Sequence, residues 1–142
     1  MQTQNYSNHA RLHKPFHFLF IPLGLAGLIG SIINLTKANE VTCYSASLLV
    51  LAFVLILFFA LVARKYALVA QDRAIRAEEN FRHFILTGKP LDSQLRIGQI
   101  IALRFASDAE FPSLAEKAVK ENLSQKEIKT AIKNWREDFN RV

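Results

Sequence analysis

The chain has 142 residues, of which 51% are hydrophobic and 21% are charged, and its formal net charge at pH 7 is +6. The only cysteine is Cys43, which excludes an internal disulfide and the class of small secreted domains that depend on disulfides. The apolar residues are concentrated before position 64, and this asymmetry predicts one membrane hairpin followed by one small cytoplasmic module.

Two uncharged apolar runs, Phe16 to Thr36 and Ala46 to Ala63, dominate the first half of the chain. Each has a length that crosses a hydrocarbon layer, which takes about 17–25 helical residues. Because backbone amides in lipid must find partners within their own segment, the runs predict two membrane helices. Neither run contains Asp, Glu, Lys or Arg, which argues against a channel, transporter or proton relay built from this chain alone.

Basic residues flank the two runs unequally. Arg11 and Lys14 precede the first run and Arg64 and Lys65 follow the second, whereas the connecting loop contains only Lys37 and Glu40 as charged residues. By the positive-inside rule, both termini face the cytoplasm and the loop faces out. We therefore expect a multi-pass membrane protein with both termini in the cytoplasm.

A cleavable signal peptide is the alternative interpretation of residues 1–30, with Arg11 and Lys14 as its basic n-region. The apolar run continues through Leu35, beyond a typical h-region, and this length favours a retained span. With either interpretation, the second run still anchors the chain.

Small residues recur along the first run, where they allow another helix backbone to approach closely. The candidate helix-packing residues are Gly24, Gly27, Gly30 and Ser31. Their face can pack against the second span of the same chain or against a partner protein, and the first alternative is favoured.

Three histidines near the N-terminus, His9, His13 and His17, are spaced by four residues. On a continuous helix they would form one stripe able to ligate a metal or haem. Pro15 disfavours helical geometry at the preceding residue, so a helix is expected to begin near Pro15. We therefore expect an interfacial tether and no cofactor, with a metal- or haem-linked redox subunit as an alternative.

No glycine or proline separates the second span from Gly88 and Pro90. This predicts one helix from about Ala46 to Leu86, whose part beyond the membrane forms a cytoplasmic stalk. Ion pairs four residues apart, such as Glu78 with Arg82, support that stalk.

Three shorter helical patterns follow the stalk. The first covers residues 93–106, and the next two begin with Ser-x-x-Glu capping boxes, at Ser107 with Glu110 and at Ser124 with Glu127. The last stripe extends through Trp135 to Phe139. Because about fifty residues make a marginal core, these helices should pack on the stalk or on a partner. Leu123, Trp135 and Phe139 are the expected anchors.

The last predicted helix carries a basic face made of Lys126, Lys129, Lys133 and Arg136. Such a face is usually solvated. Contact with anionic lipid headgroups ranks second, and nucleic acid ranks last, because three short helices are not by themselves a helix-turn-helix.

Catalytic motifs are missing from the sequence. There is no Gly-rich phosphate loop, no H-E-x-x-H, no C-x-x-C and no G-x-S-x-G. We therefore expect a protein that is not an enzyme.

Four sequence segments resemble a family of small uncharacterised bacterial membrane proteins, common in Bacteroidota-type bacteria and classed as a domain of unknown function. The segments are Gln4–His9 with Arg11, Pro15, His17 and Phe18; Gln71–Arg73; Arg96–Ala106; and Ile132–Arg136. The resemblance covers nearly the whole chain and implies a two-span inner-membrane protein with a cytoplasmic helical tail. It offers no catalytic residue or cofactor to carry over to this chain, so it supports the architecture without supplying a mechanism.

Together these patterns predict an all-α protein with a transmembrane helical hairpin, a long second helix that extends into the cytoplasm, and a small C-terminal helical module. The expected divisions are an N-terminal segment at 1–15, the hairpin at 16–63, the stalk at 64–87 and the module at 91–142. The leading functional hypothesis is an accessory or scaffold protein that docks partner membrane helices and holds a cytoplasmic partner, or self-associates. The main alternative is a membrane-tethered regulator whose basic last helix binds anionic lipid or nucleic acid.

Overall fold

The computed structural model of the protein describes residues 5–6 and 13–138. In chain order, a π-helix at Pro15–Phe20 leads directly into α1 (Ile21–Thr36), followed by α2 (Cys43–Thr87), α3 (Ile97–Leu103), α4 (Phe111–Lys120) and α5 (Gln125–Ala131). Among the described residues, β structure is limited to one isolated bridge between Ala106 and Trp135. The predicted all-α class is confirmed.

The chain divides into two compact units. Leu12–Ala67 form the first, which we call the hairpin unit, and the remaining residues form the second, which we call the C-terminal unit. Helix α2 begins in the hairpin unit and ends in the C-terminal unit.

The hairpin unit consists of two helices joined by a short polar turn. The Asn39 side-chain oxygen accepts hydrogen bonds from the Val41 and Thr42 backbone amides at 3.2 and 3.0 Å, and the Asn39 carbonyl accepts one from the Cys43 amide at 2.8 Å. The Asn39 side chain thus stabilises the turn, and its carbonyl accepts the hydrogen bond that begins α2. Both helices are long and apolar enough to cross a membrane.

Helix α2 is one continuous helix of 45 residues, roughly 68 Å long at 1.5 Å per residue. It ends where Gly88 adopts a left-handed φ of 73°, and the Gly88 amide donates to the Phe84 carbonyl at 2.8 Å. A glycine in this conformation is the usual C-terminal stop of a helix. The predicted continuous helix from 46 to 86 is confirmed, with slightly wider bounds.

The core of the C-terminal unit lies among α3, α4, α5 and the segments that join them. Its largest fully buried side chains are Leu95, Ile100, Leu103, Phe105, Phe111 and Ile128. Leu123 and Trp135 are partly buried against this core, so both expected anchors are core residues. The third anchor, Phe139, lies outside the described residues.

The first helix of the module is shorter than the predicted range of 93–106. Asp92 accepts a hydrogen bond from the Gln94 amide at 2.8 Å, which holds a turn before the helix. Arg96 is extended, and its amide donates to the Gln99 side chain at 2.8 Å, so α3 begins only at Ile97. Beyond Leu103 the backbone forms turns with hydrogen bonds three residues apart, and Ala106 then makes the isolated bridge with Trp135.

The two predicted capping boxes have different outcomes. The box at Ser124 and Glu127 is confirmed: the Glu127 amide donates to the Ser124 hydroxyl at 3.2 Å, and the Ser124 amide donates to the Glu127 carboxylate at 2.6 Å. The box at Ser107 and Glu110 is wrong. Glu110 is itself the N-cap residue of α4 and makes no side-chain cap bond there.

The last helix is much shorter than predicted. Helix α5 ends at Ala131, and Ile132 is extended with a ψ of 123°. The chain then runs beside residues 105–107, where the Ser107 amide donates to the Asn134 carbonyl at 3.1 Å and the Arg136 amide donates to the Phe105 carbonyl at 2.7 Å. The predicted helical stripe is therefore wrong at Trp135, because this pairing replaces the helix, and its last member, Phe139, lies outside the described residues.

Candidate functional site

The small residues of α1 lie at the contact with α2 of the same chain. A side chain at Gly24 would place its Cβ 2.6 Å from Leu57 Cδ2, and one at Gly27 would overlap the Phe53 ring. The Ser31 side chain is buried and its hydroxyl donates to the Leu28 carbonyl at 2.8 Å. Gly30 has no atom within 4 Å of its Cβ position, so the close approach is made at Gly24 and Gly27.

In the C-terminal unit, one face of α2 is buried. Ile75, Glu79 and His83 recur every four residues, which places them on one side of the helix, and all three are buried. Around them, the Asn80 side chain accepts from the Leu91 amide at 2.8 Å, and Arg76 donates to the Leu95 carbonyl at 3.3 Å. The module thus packs on the stalk, the arrangement that its small core requires.

Arg82 links α2 to the module through its guanidinium group. Its Nε donates to Asp108 Oδ1 at 2.7 Å, and its Nη2 donates to the Ala106 carbonyl at 2.7 Å. Its guanidinium also lies 4.5 Å from the centre of the Phe111 ring. The predicted pair with Glu78 is wrong: Arg82 Nη1 pairs instead with Glu79 Oε2 at 2.9 Å, because Glu79 is on the buried face.

Glu79 is a buried carboxylate, only 6% exposed, and two arginines approach it. Besides Arg82, the Arg136 Nη1 atom lies 3.8 Å from Glu79 Oε1. A buried charge is tolerated when it is paired and hydrogen-bonded in this way. This cluster holds the C-terminal segment against α2.

His83 also has a packing role. Its Nδ1 lies 2.8 Å from the Lys89 carbonyl, and since a carbonyl only accepts, Nδ1 carries the proton. Its ring meets the Phe111 ring edge to face, with centroids 5.7 Å apart. His83 therefore fixes the turn after α2.

The opposite face of α2 is exposed and apolar. Phe81, Phe84 and Ile85, which we call the stalk face, are 64%, 51% and 66% exposed. Phe81 is two residues from Glu79, about 200° around the helix from the buried face. Large exposed apolar clusters on a soluble surface mark interaction sites.

The predicted basic face is not one surface. Lys126 and Lys129 lie on α5, but Lys133 and Arg136 follow its end. Lys129 Nζ is 5.7 Å from the centre of the Phe105 ring, and Arg136 approaches Glu79. The single helical stripe of four cations is therefore wrong, since the helix stops too early to carry it.

The N-terminal histidines are only partly described. His9 lies outside the described residues, His13 is exposed, and the His17 amide in the π-helix donates to the His13 carbonyl at 3.1 Å. Within residues 5–6 and 13–138, no three His, Cys, Asp or Glu side chains are grouped so that they could hold a metal ion.

The fold defines the class of protein as all-helical. Two of its helices are long and apolar enough to cross a membrane, and a small helical module packs on the C-terminal part of the second. The chain belongs to the DUF6526 family, a family of unknown function, whose profile matches residues 1–142. No curated protein and no solved structure matches the chain.

Proposed function

We propose that this protein is a non-enzymatic accessory or scaffold protein of the bacterial inner membrane. The hairpin unit anchors the chain, and the stalk face holds a cytoplasmic protein partner. The exposed stalk face is the observation that carries this proposal.

The exposure of the apolar helices supports the membrane location. In the most apolar 18-residue stretch of the first span, only 6% is buried within the chain. The corresponding stretch of the second span is 11% buried. The core helix of a soluble protein would bury most of such a stretch. Lipid is the solvent that makes this exposure favourable, because the apolar side chains then avoid water.

The charges at the two ends of the hairpin support the orientation. Lys14, Arg64 and Lys65 lie at the end where the chain enters and leaves the hairpin, whereas the turn carries Lys37 and Glu40. The positive-inside rule places the basic end, and with it both termini, in the cytoplasm.

The energetics of the stalk face support a protein partner. Burying one Phe or Ile side chain is worth about 1.5–3 kcal/mol, so three such residues offer a partner several kcal/mol. Phe81, Phe84 and Ile85 are each more than half exposed with the module already packed on α2, so a partner can contact them without displacing the module. An apolar helix of the partner matches this chemistry.

The partner function is tested by copurification. We expect the double variant Phe81→Ser and Ile85→Ser to lose a stoichiometric membrane-associated partner that copurifies with the tagged wild-type chain in mild detergent. The matched control replaces Lys117 and Lys120 with Ser on α4, where both side chains are exposed. Mass spectrometry and the native mass report the composition. Recovery of the same complex from the stalk variant would refute the proposal.

The two alternatives from the sequence have less support. A regulator using a basic last helix needs four cations on one helical face, and α5 carries only two of them. A redox subunit needs the histidine stripe, and the only part of it that the structure describes is the pair His13 and His17.

A further inference from the structure

An open groove of about 570 Å³ lies on the hairpin unit beside the π-helix. Apolar side chains from the π-helix, α1 and α2 line it: Phe16, Leu19, Phe20, Leu23, Phe53 and Ile56. Gly24 and His13 also line it, and they are the last and first of the lining residues that precede the turn of the hairpin. The groove therefore accepts an apolar ligand.

The segment that lines the groove before the turn is about as long as one leaflet of a bilayer is thick. From His13 to Gly24 the chain advances eleven residues, at most about 17 Å at the helical rise of 1.5 Å per residue. Half of a hydrocarbon core is roughly 15 Å. An acyl chain that starts at the headgroup level at His13 would reach the bilayer centre at Gly24.

One cation contacts the lining of the groove, and two more are adjacent in sequence to residues at the same end of the hairpin. The Arg64 guanidinium lies 4.9 Å from the centre of the Phe16 ring, so it is held beside a residue of the lining. Lys14 precedes the π-helix and Lys65 follows Arg64. Among residues 12–67 the only acidic residue is Glu40, which lies in the turn at the far end of the hairpin. The charge at this rim is therefore complementary to an anionic headgroup.

We infer that the hairpin unit binds one anionic phospholipid of the inner leaflet, with an acyl chain in the groove and its phosphate beside Arg64, Lys14 and Lys65. The inference rests on the proposed membrane location, but it is independent of the cytoplasmic partner. The uniform positive charge of the rim favours a phospholipid over a second copy of the chain, whose own rim would carry the same charge.

Native mass spectrometry of the full chain in detergent tests the site. We expect one phosphatidylglycerol to remain bound per chain in preference to phosphatidylcholine. The variant Arg64→Gln should lower phosphatidylglycerol binding about fivefold, because one cation near a headgroup is worth about 1 kcal/mol. Lys37→Gln, which removes the same charge at the other end of the hairpin, should change nothing.

A second variant tests the apolar part of the site. Leu19→Trp places a larger ring in the groove and should lower the binding of both lipids. Ile29→Trp is its control, because Ile29 is exposed on α1 and does not line the groove.

Three outcomes would overturn an inference. The anionic site would be refuted if the wild-type chain bound phosphatidylglycerol and phosphatidylcholine equally and Arg64→Gln left both unchanged. A lipid-free dimer that Leu19→Trp converts to a monomer would assign the groove to a second copy. Recovery of the chain in the soluble fraction of lysed cells would refute the proposed function itself, whereas a membrane-bound chain without lipid preference refutes the lipid site alone.

Discussion

Glu110 and Glu127 hold the same place in two Ser-x-x-Glu motifs, yet their carboxylates bind different parts of the chain. Glu127 accepts from the Ser124 amide of its own motif. Glu110 accepts from the Lys133 and Asn134 amides at 3.1 Å and from the Asn134 side chain at 2.6 Å. The first contact is local, but the second spans more than twenty residues, so only the first could be predicted from spacing.

The capping contact of Glu127 has a consequence for pH. Hydrogen bonds from the Ser124 amide and then the Ser124 hydroxyl lower the pKa of the Glu127 carboxyl below its ordinary value. The charged form is therefore favoured in the folded protein. Its contribution to stability is complete above the ordinary pKa of glutamate and is lost as the pH falls through the lowered pKa.

We expect Ser124→Ala to raise the pKa of Glu127 toward its ordinary value and to weaken α5 by about 1 kcal/mol, the usual cost of losing an N-cap. Carbon-detected NMR titration of the Glu127 carboxyl measures the pKa, and amide hydrogen exchange in α5 measures the loss of protection. Ser124→Thr keeps the hydroxyl and should behave like the wild type. An unchanged pKa in Ser124→Ala would contradict this account.

Among the helices, α2 could be predicted almost completely and α5 could not. No glycine or proline interrupts α2 from Cys43 to Thr87, and Gly88 stops it, so local chemistry determines both its continuity and its end. The end of α5 depends on backbone pairing between residues 105–107 and 134–136. No local pattern within residues 125–136 predicts this pairing.

The π-helix at Pro15–Phe20 and the groove beside it could not be predicted from the sequence either. Pro15 correctly indicated where the first helix begins. The wider hydrogen bonding, in which the Ile21 amide donates to the Phe16 carbonyl, has no established sequence signal among these residues. The arrangement of the candidate lipid site therefore required the structure.

The contact between α1 and α2 predicts unequal effects for its glycines. We expect Gly27→Leu to destabilise the hairpin by about 1–3 kcal/mol, because the new side chain would overlap the Phe53 ring. Gly30→Leu is the matched control and should have little effect, since its Cβ position is open. Unfolding in mixed detergent measures the difference. Equal effects of the two variants would show that the helices do not meet at Gly27.

For the molecule as a whole, the marginal size of the C-terminal module explains how it uses the stalk. The sequence left open whether the module would pack on the stalk or on a partner. In the C-terminal unit it packs on the stalk, through Arg82, His83 and Glu79. The small number of apolar residues in the module made it necessary for the module to pack on something. Which polar side chains form the contact depends on residues far apart in sequence, so it could not be predicted.

The proposed topology predicts the labelling of the single cysteine. Cys43 is exposed at the start of α2, at the turn of the hairpin. We expect a membrane-impermeant maleimide to label it in intact spheroplasts, because the turn faces out. A Cys43→Ser chain that carries Lys126→Cys on α5 should be labelled only after permeabilisation. The reverse pattern would overturn the orientation and leave the membrane location intact.

Trp135, the only tryptophan in the chain, gives the molecule an internal optical reporter. Its indole is half-buried, with its centroid 5.1 Å from that of the Phe105 ring, in the segment that pairs with residues 105–107. Emission excited at the indole absorption edge therefore comes from the C-terminal unit alone. The melting of this unit can be followed in detergent while the hairpin, which has no indole, remains spectroscopically silent.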